Sequence, residues 1–137
     1  MATKVYFCGS IKGGRQDRKI YEDLIHHIGK YAKVLTEHIA DPRAVLDQHL
    51  SDKEIHDRDI AWLRESDLII AEVTQPSLGV GYEIGRALEW GKPIITLYRN
   101  NEEKKLSAMI AGVDEIQVFR YNNLDEAKEY LDTILSK

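Results

Sequence analysis

Short runs of β-branched and aromatic residues alternate with helix-like patterns along the whole 137-residue chain. That alternation is the strongest constraint on what it can fold into. Strands are expected at Lys4–Cys8, Lys33–Thr36, Leu68–Val73, Pro93–Tyr98 and Ile116–Phe119. Helices are expected at Asp17–Lys30, Asp52–Glu65, Val80–Trp90, Ser107–Ala111 and Leu124–Leu135. Such an order predicts an α/β fold: a single doubly wound, Rossmann- or flavodoxin-like sheet of five parallel strands with helices on both faces. The segment "DLIIAEV" is apolar at successive positions, as a central strand covered on both faces must be. Ser51 followed by Glu54 reads as a capping box, Asn123 with Glu126 resembles one, and Gly91 then Pro93 reads as a helix stop.

The length fits one domain over residues 1–137, and 43% hydrophobic with 31% charged residues is an ordinary globular balance. A net charge of −4 argues against a nucleic-acid or anionic membrane partner. No apolar run approaches the ~20 residues needed to span a bilayer. The first residues, "MATKVYFCGS", turn polar too soon for a signal peptide. One cysteine, Cys8, ends an apolar run and reads as a buried thiol. A cytoplasmic protein is the expectation.

In a doubly wound sheet, ligands bind at the carboxyl ends of the strands where strand order reverses. Three loops belong there: "GSIKGGRQD", "TEHIADP" and "TQPSLG". The first carries Gly9, Ser10, Gly13 and Arg15 towards a helix, an arrangement that suits an anion. It matches neither a Walker A motif nor GxGxxG, and a plain turn has the same composition. In the helix "SDKEIHDRDIAWLRES", Asp59 falls between Ile55 and Trp62 on one face. A carboxylate there is either paired with a cation or held facing a cleft. Glu83 is expected in the first turn of its helix, where the dipole favours negative charge. It is either an ordinary first-turn glutamate or a functional one beside Ser77, Gly79 and Gly81. If both acids face one crevice, Asp59 should protonate more easily and Glu83 should stay charged. Such a pair suits glycosidic bond cleavage.

The segments "VYFCGSIKGGRQD", "KVLTEH", "IHDRDIAWL", "SDLIIAEVTQPSLGVGYEIGRAL", "GKPI" and "LSAMI" together resemble the nucleoside 2-deoxyribosyltransferase superfamily, and most closely its 2′-deoxynucleoside 5′-phosphate N-hydrolases. The resemblance runs from Val5 to about Ile110. It implies cleavage of a deoxynucleoside monophosphate into free base and 2-deoxyribose 5-phosphate, without cofactor or metal. It makes Glu83 the nucleophile, Asp59 the group acting on the leaving base, and Tyr6 the neighbour of the nucleophile. Substrate and phosphate contacts are expected from Gly9, Ser10, Ile11, Gly13, Arg15, His38, Ser77, Gly79, Ser107 and Met109. The family also implies a homodimer in which the Ser107 segment serves the partner's site. A hydroxyl at Ser107 suits a 5′-phosphate, where a carboxylate would repel it. Two alternatives stay open: a transferase that passes the sugar to another base, and a non-catalytic nucleotide-binding module on the same fold.

Overall fold

The protein is described here from a computed structural model covering residues 3–11, 15–37, 49–101 and 103–137. Ten elements follow one another: β1 (Lys4–Cys8), α1 (Arg15–Ile28), β2 (Lys33–Val34), α2 (Asp52–Glu65), β3 (Leu68–Glu72), α3 (Leu78–Glu89), β4 (Ile94–Arg99), α4 (Ala108–Ala111), β5 (Ile116–Tyr121) and α5 (Leu124–Leu135). The strands form one parallel sheet in the order β2-β1-β3-β4-β5. That is the flavodoxin-like order, and its switch point falls between β1 and β3.

Period-two alternation divides the core between the two faces of the sheet. Val5, Phe7, Ile70, Ile95 and Leu97 pack with Tyr21, Leu24 and Ile28 of α1 and Ala127 and Leu131 of α5. Tyr6, Cys8, Ile69, Ala71 and Ile94 pack with Leu63 of α2 and Val80, Ile84 and Ala87 of α3. Tyr6 therefore points to the α2–α3 side and Phe7 away from it. No described helix is long and apolar enough to cross a membrane.

The expected caps form. Ser51 and Glu54 make a reciprocal capping box at α2, and Asn123 accepts from the Glu126 N–H at α5. Gly91 closes α3 with φ at +72°, a conformation that favours glycine. Two boundaries differ from expectation in instructive ways. β2 ends at Val34 because the Thr36 side chain replaces a ladder residue, accepting from Phe7 N–H at 3.0 Å and donating to Phe7 C=O at 2.6 Å. α3 begins at Leu78, two residues early, because Ser77 caps it by accepting from Val80 N–H.

Candidate active site

Parallel pairing of β1 with β3 sets Tyr6 opposite Ile69, facing the helices that follow at the carboxyl edge. Across from it stands Glu83 of α3. The Tyr6 hydroxyl donates a hydrogen bond to Glu83 Oε2. Tyr6 is 2% exposed and Glu83 is half-buried. Burial and the facing carboxylate push the phenol far above its ordinary range, so Tyr6 serves as a donor throughout the physiological span.

Glu83 corrects the expected division of labour between the two acids. Its pKa is raised to about 7: burial raises it most, the Tyr6 hydrogen bond pulls it back down, and the Asp59 charge raises it again. Burial is thus the cause, and the start of the helix adds no counterweight. With Ser77 as cap, Glu83 is the sixth residue of α3 and lies beyond the first turn, where the dipole would have favoured its anion. Asp59 is likewise not the desolvated acid that was expected. Its side chain keeps 29% of its exposure, and its Oδ1 accepts from Arg58 Nε at 3.0 Å and Nη2 at 2.9 Å. Asp59 is paired with a cation, and it also stays partly exposed beside Glu83. Arg58 in turn lies over the Trp62 ring, 4.9 Å from its centroid.

The remaining candidates fall into two groups. At the end of β1, Ser10 is buried and Ile11 is 74% exposed. A Cβ on Gly9 would sit 2.7 Å from Tyr21 Cζ, so the close approach this glycine permits is that of an α1 ring. Gly13 and His38 lie outside the described residues, and Arg15 is the residue that opens α1. Gly79 sits exposed in the first turn of α3, behind the Ser77 cap.

The second group gathers on another side of α3. Ser107 caps the short α4, accepting from Met109 N–H at 3.2 Å, and Met109 is 81% exposed. A groove of about 640 Å³ runs between α3 and α4, lined by Ser77, Leu78, Ile84, Ser107, Met109 and Ile110 among others. Tyr6, Asp59 and Glu83 do not line it. Gly81 and Gly85, which do, lie about 160° around the helix from Glu83. Within one chain, then, the structure joins Tyr6 to Glu83 with Asp59 close by, and sets Ser107 and Met109 apart from them.

Three features escaped sequence reasoning. Arg58, adjacent to Asp59, offers a charge pairing that one-residue spacing does not advertise. His56 and Tyr82 bridge α2 and α3, with His56 Nε2 2.7 Å from Tyr82 Oη. Glu72 is 1% exposed at the end of β3, and its one sequence signal was an acid inside an apolar strand.

A half-buried carboxylate poised near neutrality, oriented by a buried phenol and facing a second acid, is the equipment of a glycosyl-transferring or glycosyl-hydrolysing site. The chain belongs to the nucleoside 2-deoxyribosyltransferase family, whose sequence profile matches residues 5–126. Among its relatives is the mouse 5-hydroxymethyl-dUMP N-hydrolase, 49% identical over 97% of this chain and 78% of that one. The human protein of the same name is 42% identical over 90% of this chain and 73% of its own. Among solved structures, the CMP N-glycosidase BcmB of Clostridium botulinum superposes with a TM-score of 0.71 at 27% identity, covering 96% of this chain and 99% of that one.

Proposed function

We propose that this chain hydrolyses the N-glycosidic bond of 2′-deoxynucleoside 5′-monophosphates, releasing the free base and 2-deoxyribose 5-phosphate. The Tyr6–Glu83 hydrogen bond beside Asp59 is the observation that carries this reading. Tyr6 occupies Glu83 Oε2, which leaves Oε1 to attack C1′. As the C1′–O bond forms, the C1′–N bond breaks and its electron pair leaves with the base. Asp59 in its protonated form gives its proton to that base, which leaves neutral, and Asp59 becomes a carboxylate. The neighbouring carboxylate stabilises the oxocarbenium-like transition state and then holds the sugar as an ester. Water attacks C1′ in the second step and passes a proton to the Asp59 carboxylate, and Glu83 departs as a carboxylate. With a pKa of about 7, roughly half of Glu83 is in the attacking form at neutral pH.

The 5′-phosphate is assigned to the loops after β1 and β3, through Ser10, Ser77 and the first turn of α3, a 12-residue helix whose start favours anions. Gly9, Ile11, Gly13, Arg15, His38 and Gly79 complete that assignment. Ser107 and Met109 are given to the partner's site in a homodimer. This is supported by their separation from Glu83 and by the exposure of Leu78 (96%) and Met109 beside an open groove, a surface that a second copy would cover. The proposed place of action is the cytoplasm, in keeping with one buried, unpaired thiol at Cys8.

The test is chromatographic. The protein is incubated with deoxyguanosine monophosphate, with 5-hydroxymethyl-dUMP, with CMP, and with deoxyguanosine plus free adenine. Base and 2-deoxyribose 5-phosphate from a deoxynucleotide, with no base exchange in the last mixture, is the expected result. Deoxyadenosine in that mixture would make the chain a transferase. No product from any of the four would leave a binding module.

A further inference from the structure

The carboxyl edge of the sheet holds a buried polar cluster that the reaction above does not use. Glu72 ends β3 at 1% exposure, and its carboxylate accepts three hydrogen bonds. Oε1 takes the Thr74 N–H at 2.8 Å, and Oε2 takes the Thr74 hydroxyl at 2.8 Å together with the Tyr121 hydroxyl from the end of β5. Thr74 Oγ1 also accepts from the Arg99 N–H at 2.8 Å, at the end of β4. The Arg99 guanidinium then crosses to α1 and donates to Asp17 Oδ1 at 3.0 Å. Asp17 is 7% exposed and sits in the first turn of α1. Beside it, Tyr21 fills the space where Gly9 lacks a side chain.

Burying a carboxylate costs several kcal/mol unless hydrogen bonds replace its water. An apolar residue would fill the same space without that cost, so stability alone does not call for Glu72. What an apolar residue cannot do is hold a main-chain N–H in a loop. Glu72 grips Thr74 by backbone and side chain at once, three residues before the Ser77 cap. Arg99 grips Thr74 with its own N–H and α1 with its guanidinium. One cluster thus ties the loop after β3 to the first turn of α1.

We infer that Glu72, Thr74 and Arg99 are positioning residues that fix the loop after β3 relative to the first turn of α1, and so set the affinity of the site for the 5′-phosphate. The inference rests on the proposed hydrolase reading. Loosening the cluster should weaken phosphate binding while leaving Tyr6 and Glu83, on the opposite face of the sheet, able to react.

The test compares wild type with Thr74→Val, Thr74→Ser and Glu72→Gln, well below their unfolding midpoints. It measures kcat and KM for the deoxynucleotide that wild type cleaves fastest, and inhibition by inorganic phosphate. Thr74→Val removes one acceptor for Arg99 and one donor to Glu72. It should raise KM about tenfold and weaken phosphate inhibition in parallel, with kcat within about threefold. Thr74→Ser restores the hydroxyl and should return both values to those of wild type. Glu72→Gln keeps the size but turns an amide N–H₂ towards at least one of the three donors, and should move KM in the same direction, also serving should Thr74→Val not fold. A merely structural role would lower the active fraction, hence kcat, and leave KM and phosphate inhibition unmoved. That result overturns the inference. Wild type inactive on every monophosphate would overturn the functional reading and this one with it.

Discussion

Replacing Glu83 with glutamine should make the protein more stable, and more so as pH rises. In the native state the Glu83 carboxyl titrates near 7, against an ordinary value of 4.5. Between those values the folded chain holds a proton that the unfolded chain has lost. Stability therefore falls as pH rises through that window, and the loss is complete above about pH 7. A difference of about 2.5 pH units corresponds to at most about 3 kcal/mol. Glutamine does not titrate, and its amide oxygen still accepts from the Tyr6 hydroxyl. Urea unfolding of both proteins from pH 4.5 to 8.5 isolates the term, because groups titrating alike in both cancel in the difference. The two should be nearly equal at pH 4.5 and separate by about 2–3 kcal/mol at pH 8.5, with the glutamine variant the more stable. A difference that stays flat with pH, or runs the other way, would refute the claim that Glu83 is held at a desolvated site against its own solvation.

Tyr6→Phe removes the one hydrogen bond that lowers the Glu83 pKa. The acidic limb of kcat/KM should move up by about one to two pH units, from a charged hydrogen bond of roughly 1.5–3 kcal/mol; a limb that stays put or moves down would show that Tyr6 does not stabilise the anion. Gly9→Ala brings a Cβ to 2.7 Å from the buried Tyr21 ring and should cost about 1–3 kcal/mol in thermal or urea unfolding, whereas unchanged stability would mean the ring yields freely. Ser107→Asn should weaken the preference for monophosphates over nucleosides, and an unchanged preference would remove Ser107 from phosphate recognition.

The sheet was legible because its strands are short β-branched runs spaced by helical patterns, and "DLIIAEV" could only be a strand covered on both faces. The capping box at Ser51 was equally plain. The start of α3 was not. Gly79 and Gly81 are poor helix formers, so the segment before Val80 reads as loop. The Ser77 cap outweighs that local preference, and the two-residue shift carries Glu83 out of reach of the helix dipole. The expectation of a fully charged Glu83 failed chiefly because its burial, which raises its pKa, is not visible in the local sequence. The role of Asp59 as partner of Arg58 also depended on side-chain rotamers that periodicity does not report. The partners of Glu72 were invisible for a different reason, since one of the donors that satisfies it comes from Tyr121, 49 residues away. The pairing of Tyr6 with Glu83 had no local signal either and came from the family resemblance; the alternation of β1 and the crossing of α3 over its carboxyl end supply the physical cause.

The most direct test removes the proposed nucleophile and watches binding and turnover together. Glu83→Ala, assayed on the best deoxynucleotide substrate alongside calorimetric titration with the same nucleotide, should lose at least about three orders of magnitude in rate while keeping measurable affinity. A Glu83→Ala protein that still cleaves within about tenfold of wild type would contradict the central claim, and the reaction would have to run through another group.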